Sequence, residues 1–250
     1  MTRGPATSLT RDDIATTIAR VLSILRKQDP SQTCCLTGDS AAMLWGITRV
    51  PRDVDVLVMN DANGVTAERA KNYIKDTDTD FYLSPSRVLD PRTLTPYQDL
   101  WFRVPGREGV QCRVDILIPA ARHTPRVPPR RIVWFGTTPT MPLMACLLHK
   151  LQAWDHHHRS YGRPDLQAKQ TDDVRDINEL LAIARVKHVY LRDTEAWLPP
   201  AFISASERRA LEYKAIYPFS YAPLRVVGLF DWYEDEGKDS DKDSAKDDDD

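Results

Sequence analysis

A chain of 250 residues with 42% hydrophobic and 28% charged side chains can bury one large core or two small ones without disulfide support. It has neither a run of about 18 apolar residues able to cross a bilayer nor an N-terminal apolar stretch of signal-peptide type, so a soluble cytoplasmic protein without a membrane partner is expected. The net charge of −2 is uneven: residues 231–250 hold 11 acidic and 3 basic side chains and carry −8, which leaves +6 on residues 1–230.

In chain order, "LTRDDIATTIARVLSILRKQ" aligns Ile14, Ile18, Val21, Leu22 and Leu25 on one face, and Thr10 with Asp13 forms a capping arrangement, so a helix over 11–28 is expected. "TCCLTG" reads as a short strand that breaks at Gly38, and "DSAAMLWG" as a helix capped by Asp39 or Ser40. "VDVLVM" (54–59) is the next strand, "TAERAKNYIKDT" a helix, and "FYLSP" a further strand. Residues 85–99, rich in Pro, Ser, Thr and Asp, read as loop. "DLWFRVP" and "VQCRVDILIP", joined by "GREG", form a β-hairpin, with Val110, Cys112, Val114 and Ile116 alternating on one face. "TPRVPPRR" is a connector and "IVWFG" the last strand.

Beyond Pro139 the pattern turns helical. "MPLMACLLHKLQAWDHHH" aligns Leu143, Leu147 and Leu151, "TDDVRDINELLAIARV" aligns Val174, Ile177, Leu181 and Ala184, and "SASERRALEYKAIYP" adds a helix capped by Ser204 or Ser206. The expected organisation is a mixed α/β core over 1–138, a helical subdomain over 139–230 and a disordered acidic tail over 231–250, whose composition cannot offset the entropy of ordering. Cys34, Cys35, Cys112 and Cys146 lack C-x-x-C spacing and read as buried free thiols.

Three acids share one setting. Asp53, Asp55 and Asp115 lie among aliphatic strand residues in "RDVDVLV" and "CRVDILI". Asp53 and Asp55, two apart, project from one face of a strand about 7 Å apart. If the strand of Asp115 lies alongside, three carboxylates converge and require a cation, for which oxygen ligands on a rigid sheet suit Mg²⁺. Upstream, "LTGDSAAMLWG" joins strand, glycine turn and helix N-terminus, an arrangement that suits a phosphate.

"LTGDSAAMLWGITRVPRDVDVLV" resembles the signature of the polymerase-β type nucleotidyltransferase superfamily: strand, G-G or G-S turn, short helix, D-x-D or D-x-E on the next strand, and a third acid on a later one. It is most similar to the AbiEii-like, minimal-nucleotidyltransferase branch. The matching positions are Gly38, Asp39, Ser40 and Ala41, then Gly46, then Arg49 through Asp53 to Asp55, with Asp115 as third acid. The branch's downstream helical Lys, Arg and Lys-Asp-x-x-Asp positions match Lys150, Arg159, Lys169, Asp173 and Asp176. Two positions depart from the pattern: Asp39 replaces the second glycine or serine of the turn, and Pro51 replaces a threonine.

The resemblance implies a nucleotidyltransferase fold, α/β with a mixed central sheet plus a helical subdomain that closes the cleft. It implies transfer of an NMP, AMP from ATP, to a hydroxyl of an acceptor that the sequence leaves open among small molecule, protein and RNA. Asp53, Asp55 and Asp115 would hold Mg²⁺ or Mn²⁺. Gly38, Asp39, Ser40, Arg49, Lys150, Lys169, Asp173 and Asp176 would form the nucleotide site, with Asp173 and Asp176 anchoring Lys150 or Arg49. Asp39 raises the alternative of a catalytically impaired binding or regulatory protein, because its carboxylate at a helix N-terminus competes for phosphate-binding N–H groups and repels a triphosphate. His156, His157 and His158 read as a polar helix end, since consecutive helical residues diverge by about 100°. The basic stretch 122–131 reads as soluble surface, with nucleic-acid binding as a lesser alternative.

Overall fold

The computed structural model of the protein describes residues 8–29, 33–59, 66–89, 96–119 and 124–230. Seven strands among these residues form one mixed sheet: β1 (Cys34–Thr37), β2 (Asp53–Val58), β3 (Phe81–Leu89), β4 (Pro96–Arg103), β5 (Gln111–Leu117), β6 (Val133–Phe135) and β7 (Thr138–Thr140), in the order β3-β4-β5-β2-β1-β7-β6. β2 runs antiparallel to β1 and parallel to β5, and β7 joins parallel to β1. β3–β4, β4–β5 and β6–β7 are antiparallel neighbours. The helices are α1 (Arg11–Gln28), α2 (Gly38–Trp45), α3 (Ala67–Thr77), α4 (Leu143–His158), α5 (Pro164–Gln167), α6 (Gln170–Val186), α7 (Arg192–Glu195), α8 (Pro200–Ile216) and α9 (Tyr221–Val226).

Alternation along the central strands sorts their side chains to two faces. Val54, Val56, Cys112, Val114 and Ile116 are buried, whereas Asp53, Asp55, Arg113 and Asp115 are only half-buried on the other face. α1 covers the apolar face, where Thr17 meets the thiol of Cys112. The capping box expected at Thr10 and Asp13 is formed, with both reciprocal hydrogen bonds present. α2 and α4 belong to the other face, and α4 packs on α6 and α8. Trp154 of α4 is fully buried there, edge-on to Tyr213 of α8. All four cysteines are buried free thiols, and burial pushes Cys34 up to about 11 and Cys146 up to about 12, which keeps them protonated and inert.

The mixed sheet and the helical C-terminal half agree with the sequence reading, and several local expectations are corrected. Within 85–99, described residues 85–89 and 96–99 are strand rather than loop, because Pro85 and Pro96 lie in β3 and β4 where strand pairing tolerates them at an outer position and a strand start. β7 follows the strand taken as last, and this short segment straddles position 138, where the sheet-bearing part was expected to end. α2 starts at Gly38 with Thr37 as N-cap, so Asp39 and Ser40 lie inside its first turn. α8 starts at Pro200, whose fixed φ and missing N–H suit a first helical position; Ser206 is therefore internal and donates to the Phe202 carbonyl at 2.8 Å. The expected acidic tail, 231–250, lies outside the described residues. Among the described residues, no helix is long and apolar enough to cross a membrane.

Candidate active site

The three acids converge as the strand pairing requires. Asp55 pairs directly with Asp115 across the parallel β2–β5 register, and Asp53 pairs with Arg113. Asp53, Asp55, Arg113 and Asp115 therefore share one face of the sheet as two cross-strand pairs at successive levels. Arg113 Nη2 bridges two of the acids, at 2.6 Å from Asp53 Oδ2 and 2.9 Å from Asp115 Oδ2. Burial, followed by the neighbouring charges of Asp53, Asp115 and Asp39, pushes the Asp55 carboxyl well up, and Arg113 offsets this only in part.

The glycine turn is pressed against Asp55. Gly38 has φ +55°, and a Cβ built there would lie 2.3 Å from Asp55 Oδ2, so no side chain fits without moving the carboxylate. Thr37 pairs with Asp55 across β1–β2 but leaves the first turn of α2 without a side-chain cap. Ser40 is fully buried: its hydroxyl donates to the Thr37 carbonyl at 3.0 Å and accepts the Asp55 N–H at 3.2 Å. Ser40 thus ties the turn to the carboxylate strand.

Asp39 is the hub of a second cluster. It accepts from Lys150 Nζ at 2.8 Å and from Arg49 Nη2 at 2.5 Å. Burial pushes its carboxyl up, but Lys150 and Arg49 more than offset this and hold it far below the usual carboxylate range. Lys150, only 4% exposed at its side chain, also contacts Asp173 at 3.0 Å and Asp176 at 3.1 Å, so its three ammonium donors face three carboxylates. Arg49 grips Asp176 through both Nε and Nη2. His157 Nδ1 lies 2.6 Å from Asp173 Oδ2. Asp173 is likewise held down, burial opposing His157 and Lys150. The charge of Asp39 is thereby balanced within the protein. Arg159 pairs with Asp155 and Glu212 at the end of α4, and Lys169 flanks α6, its carbonyl accepting the Asp173 N–H at 3.0 Å.

A third arrangement escaped the sequence reading. The segment 47–52, between α2 and β2, is strapped to α6 by acids at positions 172, 176 and 179, which share one helical face. Asp172 meets Arg52 at 2.8 Å and Asp176 meets Arg49. Glu179 takes both the Thr48 N–H at 2.5 Å and its hydroxyl at 2.6 Å. Arg11 of α1 holds the opposite side, donating to the Thr48 carbonyl at 3.0 Å. The i, i+4, i+7 spacing of these acids was visible in "DDVRDINE". Arg113 was missed as well, although its place two residues before Asp115 put it on the same strand face.

Among the described residues, no group of three or more His, Cys, Asp or Glu side chains is arranged to hold a metal ion. A full protein cage is not what Mg²⁺ requires, since it commonly takes one or two carboxylates and fills its remaining positions with water and phosphate oxygens. Asp55 and Asp115 as direct cross-strand partners, with Asp53 on the same face, offer such a set.

No family model matches the chain, and no curated protein matches it. Among solved structures, it is similar to an antigenic nucleotidyltransferase-like protein from Paracoccidioides brasiliensis, at TM-score 0.60 and 14% identity over 88% of this chain and 95% of that one. A terminal uridylyl transferase 4 from Trypanosoma brucei with bound dUTP aligns with 42% of this chain and 34% of its own, at TM-score 0.27 and 18% identity. The protein has a nucleotidyltransferase-like fold.

Proposed function

We propose that the protein is a nucleotidyltransferase that moves an NMP, AMP from ATP, to a hydroxyl of an acceptor. The observation that carries this reading is the meeting of Asp55 with Asp115 across β2 and β5, directly beside the uncapped first turn of α2 at Gly38. A carboxylate cluster next to free helix N–H groups suits a cation and a polyphosphate at once. The Lys150, Arg49, Asp39, Asp173 and Asp176 cluster adds support for the AbiEii-like branch, since it brings together three of that branch's downstream positions, Lys150, Asp173 and Asp176.

Asp53, Asp55 and Asp115 would hold Mg²⁺ or Mn²⁺, which when bound neutralises phosphate charge and stabilises the attacking and leaving oxygens of an in-line displacement. The remaining work falls to the chain. Backbone N–H groups at Gly38, Asp39 and Ser40 orient phosphate oxygens, with Gly38 giving them close approach. Asp115 accepts the acceptor's hydroxyl proton as that oxygen bonds to the α-phosphorus of the NTP and the bond to the departing pyrophosphate breaks. Arg49 and Lys150 act through Asp39, fixing the turn and balancing its charge, while Asp173 and Asp176 hold them in place; Lys169 stands at the start of α6. Positioning of this kind is the main source of acceleration in phosphoryl chemistry.

One observation favours the second reading, a binding or regulatory protein with impaired chemistry: Asp39, Asp173 and Asp176 already engage both cations expected to face phosphates. Incubation with each labelled NTP and Mg²⁺ or Mn²⁺ in a lysate separates the two. Transfer of label to protein, RNA or small molecule, abolished in D53A, supports the enzyme. ATP binding without transfer supports the regulatory protein, and neither binding nor transfer removes both.

A further inference from the structure

Two arginines stand at the site, and their settings differ. Arg49 is 9% exposed at its side chain and is gripped by Asp39 and Asp176. Arg113 is 32% exposed, and one of its nitrogens spans the gap between Asp53 and Asp115, the carboxylates that flank Asp55. Burial opposes its charge, but Asp115 and Asp53 more than offset this and keep it cationic; an arginine cannot relieve a neighbour by losing its proton. It can give up the position only by moving its side chain, and its exposed third leaves a route to water.

From this geometry we propose that Arg113 is the resident counter-cation of the carboxylate site, and that a divalent ion must displace its guanidinium from Asp53 and Asp115 in order to bind. The inference rests on the reading of Asp53, Asp55 and Asp115 as metal ligands. Three carboxylates gathered on one face of a sheet repel one another, and without a cation the metal-free chain would carry that cost. A guanidinium suits the role, because its planar fork matches carboxylate geometry and it is more weakly hydrated than an ammonium. It brings one charge where a metal brings two, so a divalent ion competes effectively once its concentration is sufficient. Arg113 therefore lets the protein fold and persist without metal, and it lowers the affinity of the empty site for the ion.

The test uses Mn²⁺ alone, titrated without nucleotide into the full chain and followed by electron paramagnetic resonance. R113Q should bind Mn²⁺ about tenfold more tightly than wild type, the scale expected when one ion-pair competitor is removed. R113Q/D55N should lose that gain. R113Q should also melt lower than wild type without metal and recover on Mn²⁺ addition. A second measurement does not depend on the glutamine variant folding. In wild type labelled at arginine, the Nε–Hε resonance of Arg113, identified by its absence from R113K, should move as Mg²⁺ is added. Equal Mn²⁺ affinity in wild type and R113Q, or an Arg113 resonance that stays fixed while Mg²⁺ binds, overturns the inference and leaves the carboxylates as ligands. No Mn²⁺ bound by any of these proteins, with or without ATP, removes the ligand assignment and the inference with it.

Discussion

Arg49 and Asp176 form a two-point ion pair, with Nε 3.1 Å from Oδ1 and Nη2 against Oδ2, that joins the segment before β2 to the middle of α6. Asp176 is fully buried and also faces Lys150, so one carboxylate fixes both cations. This links the helical half of the chain to the strand that presents Asp53 and Asp55.

D176A should therefore be severely destabilising, because it strands Arg49 and Lys150 with one fewer counter-charge in the interior. Breaking a buried ion pair from one side typically costs about 3–5 kcal/mol, readable as a lower urea midpoint with unchanged slope. R49K should fail to rescue R49A fully, since a point charge cannot make both contacts to Asp176. Equal stability of wild type and D176A would remove the cluster's anchoring role.

D55N should separate stability from function. The Asp55 carboxyl is pushed up by burial and by Asp53, Asp115 and Asp39, so its charge is unfavourable in the folded protein without metal. Near neutral pH and in the presence of a chelator, the amide should stabilise the chain by about 1 kcal/mol, or about 2–4 °C in Tm at this length. NMP transfer should be lost. A D55N chain that melts lower than wild type under chelation would contradict the electrostatic account of the cluster.

Much of this site could be read from periodicity. Alternation in "RDVDVLV" put Asp53 and Asp55 on one face of their strand, and the parallel β2–β5 register makes Asp55 and Asp115 neighbours. What periodicity could not give was the pairing of charges between distant segments. Asp39 read as a competitor for phosphate because its partners, Lys150 and Arg49, lie 111 and 10 residues away in sequence and meet it only in the fold. Both strands flanking 85–99 were expected, but their extensions into it escaped for a local reason: proline and polar residues were read as loop, whereas outer strands accept them. α8 was placed too late because serines outranked the Pro200 start.

G38A should damage the site more than its backbone cost alone. At φ +55° an L-residue costs about 1–2 kcal/mol, and here the new Cβ also meets Asp55 Oδ2 at 2.3 Å, so the carboxylate must turn away. Gly136 provides the control: its φ is +59°, but a Cβ there meets nothing within 4 Å. G136A should lose comparable stability in urea and keep Mn²⁺ binding and transfer, whereas G38A should lose both. Matching behaviour of the two variants would mean that the close approach to Asp55 is unimportant.

Acid should dissolve the Asp39 cluster in a defined window. Asp39 and Asp173 are held below the ordinary value of 3.8 by Lys150, Arg49 and His157, despite burial. A carboxyl depressed in the folded state binds protons more readily when unfolded, so its contribution is fully present above about pH 4 and is lost as pH falls through the folded value. D39N should be less stable than wild type at pH 7 by about 2–3 kcal/mol, the range for losing charged hydrogen bonds in a partly buried setting. The gap should narrow steadily as the pH is lowered from 5 towards 2, because the unfolded chain takes up a proton at Asp39 that the folded chain, with Lys150 and Arg49 against that carboxyl, resists. Urea midpoints for both chains across this range measure it directly; a gap that is constant with pH would show that Asp39 contributes through shape rather than charge.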